Sequence, residues 1–365
     1  MKFFPKAAAG YMLIGGFCCV ANAQSSVQMY GIVDAAVRST TNHGKTQMVG
    51  GGMSQSRWGI NVTEDLGGGT AAIANLENRF LTDSGNQAAA NYFQHSWLGI
   101  RSKEYGQLTI GRQWSTLFDI VATTYPSFPY SPYMEVYKPE IGVSMGARNN
   151  NMLKYMKEFG SFRVGLQYSF GENRTDNKSV GGYLRYSSNG VSVGGGYLGT
   201  TMPGGTKFDA YTFGGSYRSG PWYVSAGYGM NRRKTELGIA PSGIPDAAVI
   251  AAYWGAEING GFQSGDAKKR ELVQLGLGYQ VTPQLNVGVH YYRAKQSGST
   301  TGIFNNNADF LVAVADYAFS KRTDVYFGVD STSVKGGGGS YIEKTADGHT
   351  VRNRVGVTIG LRHRF

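Results

Sequence analysis

Cysteine is almost missing from this sequence. Its 365 residues include only two cysteines, Cys18 and Cys19, and both lie near the N-terminus. The rest of the chain therefore offers no disulfide, no thiolate metal ligand and no cysteine nucleophile. The five histidines are dispersed without metal-ligand spacing, so no metal site is predicted. Without disulfides, a secreted chain must gain its stability from a large hydrogen-bonded framework or a core.

Long apolar runs are also missing. The longest one follows Lys2 and Lys6 and ends at the small-residue sequence ANA, which predicts a signal peptide over residues 1–23 and a mature chain over 24–365. A lipid-attached Cys18 is the alternative, although the preceding GGF fits such a site poorly. No run approaches the roughly 20 apolar residues of a membrane-spanning helix.

Glycine and tyrosine are abundant, at 54 and 24 residues, and no collagen period is present. In an exported chain without disulfides, this composition favours a β-barrel over disorder. The formal net charge is +11. Export makes nucleic acid an improbable partner, so the positive charge indicates either a polar surface rich in arginine or a cationic cavity.

The dominant pattern has a period of two. In VQMYGIVDAAVR, Val27, Met29 and Val33 share one face, while Asp34 and Arg38 share the other. Such alternation needs one apolar and one polar environment, on opposite faces of a strand. The closing VGVTIGLRHRF repeats it: Val355, Val357, Ile359 and Leu361 are expected to face lipid, and Gly356, Thr358, Gly360 and Arg362 to face the lumen, with the charged end of the strand in water at the rim.

Strand lengths and connections separate a membrane barrel from a soluble sandwich. The strands run about 9 to 12 residues, aromatic residues mark their ends, and short turns alternate with long connections, as in outer-membrane barrels. The fold predicted is all-β, a 16-stranded antiparallel transmembrane β-barrel with an aqueous lumen. A short helix is expected at AAVIAAYWGA in one long connection. Strands are predicted to start near residues 27, 56, 70, 94, 107, 148, 162, 180, 191, 208, 222, 271, 285, 309, 325 and 353.

Five segments in order carry a family resemblance: QMYGIVDAAV, SRWGINVTEDLGGGTAAIANLE, YGQLTIGRQW, ADYAFSKRTDVY and VGVTIGLRHRF. The chain resembles general, trimeric porins of Gram-negative bacteria, particularly those of β-proteobacteria. The resemblance implies a homotrimer in the outer membrane, in contact with lipid and lipopolysaccharide, that passes small hydrophilic solutes and ions passively without a cofactor. It also implies a third loop folded into the lumen, and a role for Phe365 in the signal read by the assembly machinery.

Two other functions remain open. One is a substrate-selective channel for sugars or organic anions, and the other is a plugged barrel that acts as an adhesin or enzyme. No nucleophile-elbow motif supports an enzyme. GGGYLG satisfies a dinucleotide-binding pattern, but no helix follows it. Tyrosines of the third loop could stack on sugars or merely pack the loop: Tyr125, Tyr130, Tyr133 and Tyr137.

The third long connection, residues 114–147, is predicted to narrow the pore, because so long a loop in a compact domain is usually functional. Its acidic residues are Asp119, Glu135 and Glu140. Glu140 lies in KPEIG, which is similar to a stretch of enteric porin loops. For Asp119 and Glu135, a merely solvated loop charge is the alternative.

The opposite wall of the constriction is predicted to be basic. Arg57 in SRWG and Arg148 in ARNN match pore arginines of related porins, and Arg79 shares a polar face with Glu77. Arg112 points outward by strict alternation, but a bulge at the glycine before it would turn it inward. A transverse field between the walls would favour polar solutes over apolar ones, with a weak preference for anions.

A further arginine of related porins would fall near FQHSW, where this sequence has Gln94 and His95. The basic wall is therefore expected to be weaker at that point.

Overall fold

Long antiparallel strands make up most of the molecule. The computed structural model describes residues 25–127, 144–255, 266–339, 341–345 and 347–365. Within these residues, two α-helices interrupt the strands, α1 (Thr116–Thr124) and α2 (Asp246–Gly255). The strands are β1 (Ser26–Thr40), β2 (Thr46–Val49), β3 (Arg57–Gly67), β4 (Thr70–Arg79), β5 (Phe93–Ser102), β6 (Gly106–Trp114), β7 (Arg148–Phe159), β8 (Phe162–Ser169), β9 (Lys178–Ser188), β10 (Val191–Thr201), β11 (Lys207–Ser219), β12 (Trp222–Arg233), β13 (Lys269–Gln280), β14 (Leu285–Ser297), β15 (Asn306–Ala318), β16 (Thr323–Gly336), β17 (Glu343–Lys344), β18 (Thr350–Val351) and β19 (Asn353–Arg364).

Sixteen of these strands close into a barrel. Each strand from β3 to β16 pairs antiparallel with its sequence neighbour, and β19 pairs with β16. Strand β1 closes the ring, because it pairs with β3 along one edge and with β19 along the other. The barrel therefore consists of β1, β3 to β16 and β19, which confirms the predicted number. The predicted strand starts lie within three residues of the observed ones.

Several shorter elements lie outside the barrel count. Strand β2 pairs with β1 inside the first long connection, and β17 pairs with β18 in the last one. Helix α2 lies between β12 and β13, where a short helix was expected. A 3-10 turn, Glu172–Arg174, follows β8. Neither described helix is long and apolar enough to cross a membrane.

The alternating pattern separates the outer surface from the lumen. On β19, Ile359 is 55% exposed and Leu361 is 53% exposed, whereas Thr358, next to Ile359, is buried. The outer surface is therefore apolar along the strands, as contact with hydrocarbon requires. Arg362 points inward as predicted, but the expectation that it meets water was wrong. It is buried and donates to Asp324 Oδ1 over 3.0 Å.

Aromatic side chains pair on the outer surface near both ends of the strands. Near the short turns, the rings of Trp222 and Tyr279 lie 4.5 Å apart. Near the long connections, the rings of Tyr197 and Tyr211 lie 5.1 Å apart. Two aromatic belts at the two interfaces are typical of barrels that cross a bilayer, and the longer connections belong to the extracellular side.

Candidate pore constriction

Helix α1 lies inside the barrel, against the inner wall formed by β8 to β11. Its N-terminus is capped by Ser115, whose Oγ accepts a hydrogen bond from the Phe118 amide over 3.2 Å. This confirms the expected entry of the third connection into the lumen, in its described part.

Glycines on the inner wall make room for α1. A Cβ atom at Gly194 would lie 2.6 Å from Ile120 Cδ1, and one at Gly196 would lie 3.0 Å from Leu117 Cδ2. Both apolar side chains are fully buried. The glycines of GGGYLG therefore let a helix approach the strand backbone closely, which any side chain there would prevent.

The end of α1 is fixed to the wall by Tyr125. Its ring packs on Gly227, its hydroxyl forms a hydrogen bond with Thr212, and its carbonyl accepts from Gln274 Nε2 over 2.9 Å. Only 2% of Tyr125 is exposed, so it packs the loop and offers no surface for a sugar. The other three tyrosines considered for sugar stacking lie outside the described residues.

Asp119, an expected constriction acid, lies on the wall side of α1. It forms a buried ion pair with Lys154 of β7, whose Nζ also donates to the carbonyl of Trp114 over 3.0 Å. Burial raises the pKa of the Asp119 carboxyl, while the Lys154 ammonium acts against this rise. Glu135 and Glu140, the other expected acids, lie outside the described residues.

Three of the four predicted arginines meet around one carboxylate, that of Glu77. Arg79 Nε lies 3.0 Å from Glu77 Oε1, Arg148 Nη2 lies 3.8 Å from the same atom, and Arg57 Nη1 lies 3.9 Å from Oε2. The Tyr30 hydroxyl donates to Glu77 Oε2 over 3.2 Å. These four charged residues, Arg57, Glu77, Arg79 and Arg148, are called the basic cluster below. Its formal charge is +2.

Arg112 lies next to a bulge in the wall. The register between β6 and β7 shifts between Gly111 and Gln113, and Gly111 has a φ of +123°. The anticipated glycine bulge is thus present. Arg112 Nη1 donates to Asn150 Oδ1 over 2.5 Å, two residues beyond Arg148. The fourth predicted arginine therefore stands beside the basic cluster rather than on Glu77.

His95 occupies the position where related porins were expected to have an arginine. Its Nδ1 lies 3.1 Å from Asn75 Oδ1, and its ring meets Trp114 edge-on with 5.3 Å between centroids. Trp114 in turn contacts Phe118 of α1, with 5.0 Å between centroids. His95 therefore links the wall of the basic cluster to the helix. Within the described part of the chain, no group of acidic, histidine or cysteine side chains could hold a metal ion.

Two residues of this site were missed in the sequence. Glu77 was noted only as a neighbour of Arg79, and Lys154 was not considered. Both follow the alternation rule, since Lys154 lies between the outward-facing Leu153 and Tyr155. Alternation could therefore have placed both side chains inside the barrel, although not their partners.

The comparisons with known proteins agree on one family. A family model described as Gram-negative porin matches residues 7–337. The chain is 27% identical over 369 residues to outer membrane porin protein 32 of Delftia acidovorans, covering 94% of this chain and 95% of that protein. It is 30% identical to a porin protein of Bordetella pertussis over 193 residues, which cover 46% of this chain and 49% of that protein.

Among solved structures, an anion-selective porin from Comamonas acidovorans superposes with a TM-score of 0.71. It is 23% identical in sequence, and the match covers 94% of this chain and all of that one. The likeness is one of fold.

Proposed function

The chain belongs to the Gram-negative porin family. On this basis we propose which residues determine which solutes and ions pass through the channel. It is an outer-membrane porin that forms a water-filled channel for small hydrophilic solutes and ions. The family and the fold indicate a channel rather than an enzyme.

The basic cluster is proposed to be one wall of the constriction, with Arg112 beside it. The cluster itself contains three arginines and one carboxylate, so this part of the wall carries a net positive charge that attracts anions, and its fixed polar groups replace part of the water around a polar solute. Glu135 and Glu140 are proposed as the opposing acids. Asp119 is a weaker candidate, because Lys154 already neutralises its charge.

A weak preference for anions follows from the charge of the basic cluster. The Comamonas neighbour, which is named as anion-selective, supports this direction. Reversal potentials in a KCl gradient across a planar bilayer test it. Arg148→Glu would change the formal charge of the cluster from +2 to 0 and should shift selectivity toward cations. An unchanged reversal potential would remove Arg148 from the pore wall.

Passive diffusion without substrate preference is proposed over selective transport. Conductance measured with sugars and organic anions of graded size separates the two functions. A gradual decline with solute size is expected for general diffusion, whereas saturable block by one class of solute would identify a selective channel. No conductance at all would favour a plugged barrel.

A homotrimer is the proposed assembly, in line with a Vibrio cholerae outer-membrane protein whose structure is described as a trimer form. Light scattering of the purified protein in detergent, with the detergent mass subtracted, measures the number of chains. A monomer mass across the working concentration range would contradict the proposal.

Phosphate groups of lipopolysaccharide are proposed to bind the outer surface near the extracellular end of β10 to β15. Here three carboxylates each accept from a tyrosine hydroxyl and pair with a cation. The tyrosine–carboxylate distances are 2.9, 2.7 and 2.5 Å. The three groups are Tyr197–Asp209–Lys234, Tyr228–Glu271–Lys269 and Tyr291–Asp309–Arg293.

These groups lie at one height on the barrel. Asp209 is level in register with Lys269 two strands away, and Glu271 lies two residues further along that strand. The same step leads from Glu271 to Asp309. The groups therefore shift by one residue along the strand for each strand crossed, which corresponds to an angle of about 35° between the strands and the barrel axis. Strands of a barrel are usually tilted by this amount, so the groups form a band parallel to the membrane plane.

The cations of this band outnumber its acids. Lys207, Arg232 and Lys295 are exposed at the same level, which gives six cations and three carboxylates on a surface that faces the outer leaflet. The triple variant Lys234→Gln, Lys269→Gln, Arg293→Gln should retain less lipopolysaccharide through purification. Lys103→Gln with Lys321→Gln, in two short turns on the opposite side, is the matched control. Equal retention in both would refute the proposal.

A further inference from the structure

The barrel wall is interrupted between β2 and β3. Ala36 of β1 faces Val49, while Ile32 of β1 faces Arg57. Ile32 and Ala36 are four residues apart on β1, whereas their partners Val49 and Arg57 are eight residues apart. The segment that runs beside β1 therefore contains four extra residues. Residues 50–56, called the inner segment below, are all buried. A regular ladder would have paired these backbone groups within the wall.

Asp34 holds the inner segment in the lumen. Its carboxylate accepts from the amides of Gly52, Met53 and Ser54 over 3.0, 3.3 and 2.7 Å. The Tyr326 hydroxyl donates to the same carboxylate over 2.6 Å. Three successive backbone amides donate to one side chain. These hydrogen bonds replace the strand-to-strand hydrogen bonds that the insertion removes.

The neighbouring wall adds a second attachment. Arg362 Nη1 donates to Ser54 Oγ over 2.8 Å, while its Nε donates to Asp324. Ser56 Oγ donates to the carbonyl of Asp34 over 3.0 Å. The inner segment is therefore fixed from β1, β16 and β19, so its geometry is rigidly specified.

The inner segment reaches the basic cluster through Gln55. The side-chain oxygen of Gln55 accepts from Arg79 Nη1 over 3.1 Å, and its carbonyl accepts from Arg57 Nε over 3.1 Å. Gln55 is itself buried. Two of the three arginines of the basic cluster are thus held between Glu77 on one side and Gln55 on the other.

We propose that the inner segment is a second specificity-determining element of the channel, beside the third loop. The side-chain oxygen of Gln55 accepts one N–H of Arg79, and its backbone carbonyl accepts one N–H of Arg57, so Gln55 fixes the direction in which both guanidinium groups face a permeating anion. Asp34 is the positioning residue that fixes Gln55 there. This inference rests on the proposed role of the basic cluster in ion preference.

Reversal potentials in a KCl gradient, measured on folded channels, test the proposal. Gln55→Leu keeps the size of the side chain and the backbone carbonyl that Arg57 uses, but removes the side-chain acceptor of Arg79, so anion preference should fall toward zero reversal potential. Gln55→Glu should lower it further, because a second carboxylate would join the cluster. Asp34→Asn replaces one of the two accepting oxygens with an NH2 group that cannot accept from the backbone amides, and it should act in the same direction as Gln55→Leu, with noisier open-channel current.

Arg148→Glu separates the role of the inner segment from that of the basic cluster, since no hydrogen bond among the described residues joins Gln55 to Arg148. If Arg148→Glu shifts the reversal potential and Gln55→Leu leaves it at the parental value, the inner segment has no part in selectivity. If neither variant shifts it, the proposed role of the basic cluster fails as well. Deleting residues 51–54, which would restore a regular ladder, should raise conductance; an unchanged conductance would also overturn the proposal.

Discussion

Asp119 of α1 and Lys154 of β7 form an ion pair inside the barrel, and each side chain is at most 10% exposed. The pair joins the third connection to the wall from which the basic cluster projects. Lys154 also donates to the carbonyl of Trp114, the last residue of β6. The helix is therefore held by charge at one end and by the packing of Tyr125 at the other.

Lys154→Met should destabilise the docked helix. The variant leaves the Asp119 carboxylate buried without its cation, and breaking a buried pair in this way costs about 3–5 kcal/mol. Thermal unfolding in detergent should occur at a lower temperature, and the open-channel current should fluctuate more. The double variant Asp119→Leu, Lys154→Met removes both charges and should recover most of the loss. A double variant no better than the single one would contradict the ion-pair explanation.

Glu77→Gln should make the channel more selective for anions, because the formal charge of the basic cluster would rise from +2 to +3. It should also lower stability by a few kcal/mol, on the order expected when one partner of a buried charge network is removed. Reversal potential and thermal unfolding measure the two effects separately. Glu104→Gln, in an exposed short turn, is the control and should change neither. A Glu77→Gln channel that became less selective for anions would show that Glu77 organises the arginines rather than offsets them.

Gly227→Val should dislodge the end of α1. A Cβ atom at Gly227 would lie 2.3 Å from Tyr125 Cε2, so the ring has to move. Overpacking of this kind costs about 1–3 kcal/mol, and a displaced loop should change single-channel conductance. Ala226→Val on the same strand adds methyl groups to the lipid-facing side and serves as control. Parental conductance in both variants would show that Tyr125 does not fix the loop.

The strands and the inward direction of the arginines in the basic cluster were predictable, because each strand lies between lipid and water and its sequence alternates accordingly. Arg57, Arg79 and Arg148 were found by that rule. The pairing of Asp119 with Lys154 could not be predicted, because the two residues are 35 positions apart in the sequence and meet only when helix α1 docks on the inner wall. The inner segment was not predictable either. GGGMSQS has the composition of an ordinary loop. Its course is set by Asp34, Tyr326 and Arg362; alternation predicts that these side chains face inward, but not which residues they bind.

We propose that Phe365 has two separable roles, one in closing the barrel and one in the signal read by the assembly machinery. Its backbone exchanges hydrogen bonds with Gly31, over 3.0 and 3.1 Å, and its ring lies over the same glycine, where a Cβ atom would come within 2.2 Å of Cζ. Gly31→Ala should therefore impair closure wherever the protein folds. The yield of refolded barrel in detergent and the yield of folded protein in the outer membrane of cells should both fall.

Phe365→Ala should behave differently. The backbone pairing with Gly31 needs no side chain, and the ring is 44% exposed, so its loss should cost about 1 kcal/mol and leave refolding in detergent nearly intact. Assembly in cells should nevertheless fall sharply, because the assembly machinery would no longer meet a terminal aromatic residue. Phe319→Ala removes another exposed aromatic ring, in the short turn after β15, and is the matched control. If Phe365→Ala and Phe319→Ala accumulate equally well in the outer membrane, the ring of Phe365 contributes to the lipid interface alone, and the signal must reside elsewhere in the closing strand.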